Sequence, residues 1–199
     1  MRSVLAVLAV CALGTASLWL GTDGLRAFTA EGARRLAVQE RPRTLPAAVL
    51  QDQDGRAFRL QDYQGRVVLV EFIYTRCLTV CSSLGASFQQ LYRRLPAQGR
   101  ADVVLLSISF DPRHDDPARL RDYARRYGAD GRRWRIARIN DPVQLQALLK
   151  AFGVTVIPDT YGGFEHNAAI HVLNRGGRLA AIHDPGDVPG ALRRARTLP

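Results

Sequence analysis

The run VVLVEFIY, Val67 to Tyr74, leads within three residues into a pair of cysteines, Cys77 and Cys81, and it constrains this 199-residue chain more than any other feature. The run follows a glycine turn at Gly65 and is nearly continuous in β-branched and aromatic residues, as expected of a strand covered on both faces. Beyond the cysteines, Leu84, Phe88, Leu91, Tyr92 and Leu95 recur at helical spacing. Strand, cysteine pair and helix therefore follow one another without a gap. Cysteines at i and i+4 near a helix start have Cα atoms roughly 6 Å apart, close enough for a disulfide or for two sulfurs to hold one ligand. The helix dipole and the free N–H groups of the first turn favour the thiolate, and Arg76 is expected to add a positive charge beside it. Two small buried hydrophobes are a poor explanation for cysteines in a strand-to-helix loop, where binding and catalytic residues concentrate.

The rest of the chain repeats the alternation. AVLQDQDGRAFRL carries a hairpin signal at Asp54-Gly55. Asp102 to Phe110 reads as a second buried strand, followed by the loop DPRHDD and a helix with Leu120, Tyr123, Ala124 and Tyr127 on one face. Asp141 and Pro142 open another helix, with Leu145, Leu148, Leu149 and Phe152 inward and Gly153 as its stop. NAAIHVLN and RLAAIH form two strands about Arg175-Gly176-Gly177, and Asp187 opens a last helix. Strands alternating with helices, closed by a hairpin and a helix, predict an α/β fold of the thioredoxin type, a central sheet flanked by helices.

Ahead of this domain, Val4 to Leu20 contains no charge and is long enough to cross a bilayer. It reads as a signal peptide or a membrane anchor. The continuation Ser17 to Leu20, with Trp19 suited to the membrane interface, favours the uncleaved anchor. Cys11 lies within this run and reads as an apolar membrane residue. The expected organisation is 1–22 signal or membrane anchor, 23–44 linker without a sustained apolar period, and 45–199 folded domain. Lys and Arg number 28 against 18 Asp and Glu, a net charge of +10. These cations are scattered over every segment of an exported chain with no nucleic-acid-binding module, so nucleic acid is not an expected partner.

Two thiolates make half a metal site, and four histidines compete to extend it. His166 lies in YGGFEHNAAI, a glycine-bearing loop that a thioredoxin-like sheet brings toward the cysteine helix, and is the candidate third ligand. His171 alternates with Ala169 and Leu173 and reads as packed. His114, among Asp111, Asp115 and Asp116, reads as solvated or turn-forming. His183 ends the last strand without an evident partner. A Cys2His set suits Cu(I), which accepts soft ligands and three-coordination, whereas structural zinc wants a fourth ligand.

FIYTRCLTVC, then SISFDPRHDD, then EHNAAIHVLNRGGRL, in that order, resemble the Sco/SenC family of copper-binding assembly proteins, and the likeness runs from about Leu45 onward. The resemblance implies copper as the bound metal, Cu(I) or also Cu(II), with Cys77, Cys81 and His166 as its ligands. It also implies a redox-active Cys77–Cys81 disulfide. The implied activity is copper delivery to, or thiol reduction at, the CuA centre of cytochrome c oxidase subunit II, or service to another copper or thiol protein. The implied location is a bacterial inner membrane, with the domain facing the periplasm or cell exterior. The competing reading of the same residues is an extracytoplasmic thiol-disulfide oxidoreductase using Cys77 and Cys81, in which His166 only tunes the pair.

Overall fold

The structure is a computed structural model that describes residues 2–77, 80–95 and 102–198; the side chains of residues 80–82 lie outside the description. The chain divides into two compact units, one ending at Pro42 and one beginning at Arg43.

The first unit holds helices α1, Arg2–Gly21, and α2, Ala30–Glu40. Helix α1 buries none of its residues and has a mean hydropathy of 2.1, so by length and composition it can cross a membrane. Helix α2 occupies the segment that the sequence reads as a linker. It forms without an apolar stripe because charge supports it locally. The Thr29 hydroxyl caps it by accepting the Gly32 N–H at 2.9 Å, and Glu31 pairs with Arg34 at 2.7 Å and Arg35 at 2.8 Å. These arginines hold the Glu31 carboxyl below its ordinary range, Arg34 most strongly.

The second unit is built on a seven-stranded sheet. Its strands are β1 (Val49–Asp52), β2 (Ala57–Arg59), β3 (Val67–Ile73), β4 (Val103–Ser109), β5 (Trp134–Arg138), β8 (Ile170–Leu173) and β9 (Leu179–His183). The order across the sheet is β2-β1-β5-β4-β3-β8-β9. Strands β3, β4 and β5 run parallel, while β8 lies antiparallel to β3 and to β9. Four helices complete the unit: α3 (Val80–Arg94), α4 (Pro117–Tyr127), α5 (Pro142–Phe152) and α6 (Val188–Thr197). Leu84, Phe88 and Leu91 of α3, Leu120 and Tyr123 of α4, and Ala191 and Ala195 of α6 form one core with Leu69 and Ile73 of β3. The opposite face holds Phe72 against Phe152 of α5, with ring centroids 5.0 Å apart. This is the thioredoxin-like arrangement, and it sets β3 inside the sheet, between β4 and β8, with α3 following from its carboxyl end.

Within the second unit, two segments differ from the sequence reading. Strand β5 was not expected, because Arg135 and Arg138 interrupt the apolar pattern of WRIAR. Both guanidinium groups are accommodated at its edge: Arg135 lies 4.4 Å over the Phe58 ring, and Arg138 donates to Gln51 Oε1 at 2.9 Å and to the Pro112 carbonyl at 3.0 Å. The segment expected to be a loop before His166 is a hairpin of β6 (Val156–Pro158) and β7 (Phe164–His166). Its turn is held by Asp159 Oδ1, which accepts the Tyr161 N–H at 2.8 Å and the Gly163 N–H at 2.7 Å.

Candidate functional site

At the carboxyl end of β3 the chain leaves the sheet through Tyr74, Thr75 and Arg76 to reach Cys77, which is buried. A turn closed by the Cys77 N–H on the Tyr74 carbonyl at 3.2 Å shapes this segment. Its anchor is Asp115, which is fully buried. Asp115 Oδ1 accepts the Thr75 hydroxyl at 2.6 Å, and Oδ2 accepts the Thr75 N–H at 3.0 Å and the Ser109 hydroxyl at 2.5 Å. Charge-assisted bonds of this kind are the strong ones, and three of them compensate for burying the carboxylate. The loop DPRHDD, in which the sequence reads His114 as solvated or turn-forming, thus supplies the buried post on which the cysteine loop rests.

Arg76 behaves differently from expectation. Its guanidinium pairs with Asp111 Oδ2 at 2.9 Å, and His114 Nδ1 lies 3.2 Å from Asp111 and 3.4 Å from Arg76. A cation so neutralised favours a neighbouring thiolate less than an isolated one would. What remains to favour the anion is the start of α3, where Cys81 sits in the first turn. The Cys81 side chain lies outside the described residues.

His166 ends β7 opposite Val156 and is half-buried. Its ring stands 5.1 Å from that of Phe110 at 63°, and burial lowers its pKa from the ordinary value, which keeps the imidazole neutral at neutral pH. The stretch after it is fixed by Asn167, whose side chain accepts the Thr155 N–H at 2.7 Å and donates to the Gly153 carbonyl at 2.9 Å.

The two segments that carry the predicted site residues are tied together by Tyr74. Its hydroxyl donates to the Phe164 carbonyl at 3.2 Å and accepts the Phe164 N–H at 3.3 Å. Tyr74 stands three residues before Cys77, and Phe164 two before His166. The rings of Tyr74, Phe110 and Phe164 pack mutually at 5.3 to 5.6 Å, so an apolar wedge underlies the clamp. Among the described residues, which exclude the Cys81 sulfur, no group of three or more His, Cys, Asp or Glu side chains is gathered closely enough to hold a metal.

The other histidines fall into place. His171 is buried edge-on between Phe72 and Phe152, as its alternation predicts. His183, expected to lack a partner, has one: Nδ1 lies 2.8 Å from Asp187 Oδ2, at the cap of α6. That bond holds the Asp187 carboxyl below its usual range. The residues that sequence reasoning missed are Asp115, Tyr74 and Phe110.

The SCO1/SenC family model matches residues 38–195, and so spans every element described above for the second unit except the last two residues of α6. The chain belongs to the SCO1/SenC family. A Stutzerimonas stutzeri protein named for copper binding is 29% identical over 153 residues, 77% of this chain and 71% of that one. Among solved structures, Bradyrhizobium japonicum ScoI with copper bound superposes with a TM-score of 0.62 at 23% identity, covering 76% of this chain and 99% of ScoI. BsSco, a member of the Sco family of cytochrome c oxidase assembly proteins in which a disulfide switch is described, superposes with a TM-score of 0.67 at 24% identity, covering 80% and 96%. At these identities the superpositions establish the shared Sco fold.

Proposed function

We propose that this chain is a membrane-tethered copper chaperone: α1 within residues 1–22 anchors it, residues 23–44 link, and the domain from residue 45 faces the periplasm or cell exterior of a bacterial inner membrane. Cys77 and Cys81, as thiolates, and His166, as a neutral imidazole, hold one copper ion as cargo for the CuA centre of cytochrome c oxidase subunit II. The observation that carries this reading is the Tyr74 clamp, which joins the cysteine loop to the histidine strand by two hydrogen bonds. The family membership and the copper named with two relatives support the choice of metal.

The chemistry follows from the donor set. Two thiols lose two protons as Cu(I) binds, and soft sulfur with one imidazole suits that ion. The lowered pKa of His166 leaves its ring nitrogen unprotonated without competition from a proton near neutral pH. The same pair, oxidised, has no thiolate to offer, so loading requires reduction first. A second reading, a thiol-disulfide oxidoreductase acting on a client, draws on the disulfide switch described for BsSco.

Replacing His166 by Ala separates the two. The variant keeps both thiols, so the Cys77–Cys81 disulfide still forms and breaks, while copper affinity falls by more than the roughly 10 to 100-fold that outer-shell changes alone cost. A strain carrying only His166→Ala should then lose oxidase activity. Full oxidase activity despite weakened copper binding would establish thiol exchange as the working function instead.

A further inference from the structure

The end of the sheet remote from the cysteine loop carries a cleft of about 310 Å³ that the proposed function leaves unused. Arg66 stands just ahead of β3 and Arg132 just ahead of β5, and both line it. Cys77 lies beyond the other end of β3, a seven-residue strand that spans roughly 20 Å. The β1–β2 hairpin adds Arg56 and Phe58 to the cleft, the 3-10 turn Leu60–Tyr63 adds Tyr63, and β5 adds Arg135.

Buried rings lie beneath the exposed arginines. Phe58 and Tyr63 meet edge to face with centroids 5.9 Å apart, and the Arg135 guanidinium lies 4.4 Å from the first centroid and 5.8 Å from the second. Tyr63 is only 6% exposed, and its enclosed hydroxyl makes no hydrogen bond among the described residues. Burial raises its pKa above the ordinary value, so it stays a donor. Arg135 Nε is likewise buried without a hydrogen bond, 3.6 Å from Asp52 Oδ2. Buried donors without partners cost stability, and two of them side by side mark a place that wants an acceptor. The neighbouring carboxylates are already engaged by the backbone: Asp52 Oδ1 accepts the Asp54 N–H at 3.0 Å and the Arg56 N–H at 2.9 Å, and Asp62 Oδ2 accepts the Arg59 N–H at 2.8 Å. Arg56 reaches Asp54 only at 3.9 Å and in solvent, where such a pair is worth little. Arg66 and Arg132 have no carboxylate within 4.0 Å among the described residues. Four guanidinium groups and two carboxylates line the cleft, a surplus of two positive charges.

We propose that this cleft binds a dianionic phosphate, free or as a monoester, with Arg66, Arg132 and Arg135 holding its oxygens and Tyr63 donating to it from the buried side. The match is one of charge and shape. A phosphate monoester carries about −1.5 to −2 charges at neutral pH and three strong acceptor oxygens, and a guanidinium fork takes two of them at once. The cleft is larger than a bare phosphate, which leaves room for the esterified group. Arg135, lying over both rings, is the side chain whose turn toward the anion uncovers the Tyr63 hydroxyl. The same dianion has two sources, a soluble phosphate or the headgroup of phosphatidic acid.

The test is isothermal titration calorimetry of the full chain in a maltoside detergent at about pH 7.5, where a second pKa of about 6 leaves a monoester dianionic. The probes are inorganic phosphate, glycerol phosphate, dihexanoyl phosphatidic acid and the monoanion dimethyl phosphate. Wild type should bind the dianions at one site per chain and dimethyl phosphate about tenfold more weakly. Tightest binding of inorganic or glycerol phosphate assigns the site to a soluble ligand, and tightest binding of the phosphatidic acid assigns it to a headgroup; either result supports it. Arg66→Gln with Arg132→Gln should weaken binding about tenfold or more, and both residues are exposed, so the fold is retained. Tyr63→Phe distinguishes a ligand donor from a structural one. Removing an orphan hydroxyl should leave the urea midpoint equal or higher, while glycerol phosphate affinity falls about tenfold. No binding of any dianion, unchanged affinity in the double variant or in Tyr63→Phe, or dimethyl phosphate held as tightly as glycerol phosphate would each overturn the proposal.

Discussion

Tyr74 illustrates how much a single hydroxyl can organise. Tyr74→Phe retains the ring that packs on Phe110 and Phe164 but removes both hydrogen bonds to the Phe164 backbone. Stability should fall by only about 1 kcal/mol, because Phe164 is half-buried and its backbone groups regain water. Copper affinity should fall several-fold, since the histidine strand is then less firmly set against the cysteine loop. Isothermal competition with a Cu(I) chelator reads the second effect, and urea unfolding the first. Equal copper affinity in the two proteins would mean that the clamp does not set the site. At this scale the sequence carried the proposed donors and not their supports. Cys77, Cys81 and His166 stand out because their chemistry is rare in a chain with three cysteines and four histidines. Tyr74 and Asp115 do not, because an aromatic at a strand end and an aspartate in a polar loop are ordinary until the fold shows what they touch.

Elements were legible where apolar period and caps agree. Helices α4 and α5 begin at Asp116 and Asp141, each followed by proline, and end at Gly128 and Gly153 in the left-handed region, all of it written in the sequence. Helix α2 and strand β5 were not, since ion pairs hold the first and aromatic rings and carbonyls shelter the arginines of the second. One element-scale feature makes a sharp prediction. A Cβ at Gly85 of α3 would stand 2.7 Å from the Tyr127 ring and 2.8 Å from the Tyr123 hydroxyl, so glycine is what lets α3 and α4 approach. Gly85→Ala gains nearly 1 kcal/mol of helix propensity and loses about 1 to 3 kcal/mol to overpacking, for a net destabilisation of order 1 kcal/mol. A raised urea midpoint would show that the tyrosines yield without cost. The proposed disulfide and copper site should survive the change, although Gly85 lies one turn after Cys81.

For the whole molecule, the sign of the pH dependence is set by groups whose folded pKa values depart from the ordinary. Asp116, Asp141 and Asp187 are held low, the first two by helix-cap N–H groups and the third by His183, so what they contribute is present above an ordinary aspartate pKa and lost as pH falls below it. Glu71, fully buried in β3, acts in the opposite direction. Its folded pKa of about 8 lies above the ordinary 4.5, so stability is full below 4.5 and declines as pH rises toward 8. Unfolding free energies from urea titration should therefore be higher near pH 5 than near pH 9, by an amount on the order of a few kcal/mol, and Glu71→Gln should flatten the difference. A wild-type chain equally stable at both would mean that Glu71 remains ionised in the fold. The net charge of +10 is spread over both units and does not by itself identify a partner.

The account turns on whether the cysteine pair and His166 hold copper. The direct measurement is copper per chain by elemental analysis of the full protein in detergent, reduced, loaded with Cu(I) and desalted, beside the oxidised protein and a Cys77→Ala, Cys81→Ala double variant. One ion per chain in the reduced protein, and none above background in the other two, is the predicted result. Equal copper in all three would contradict it.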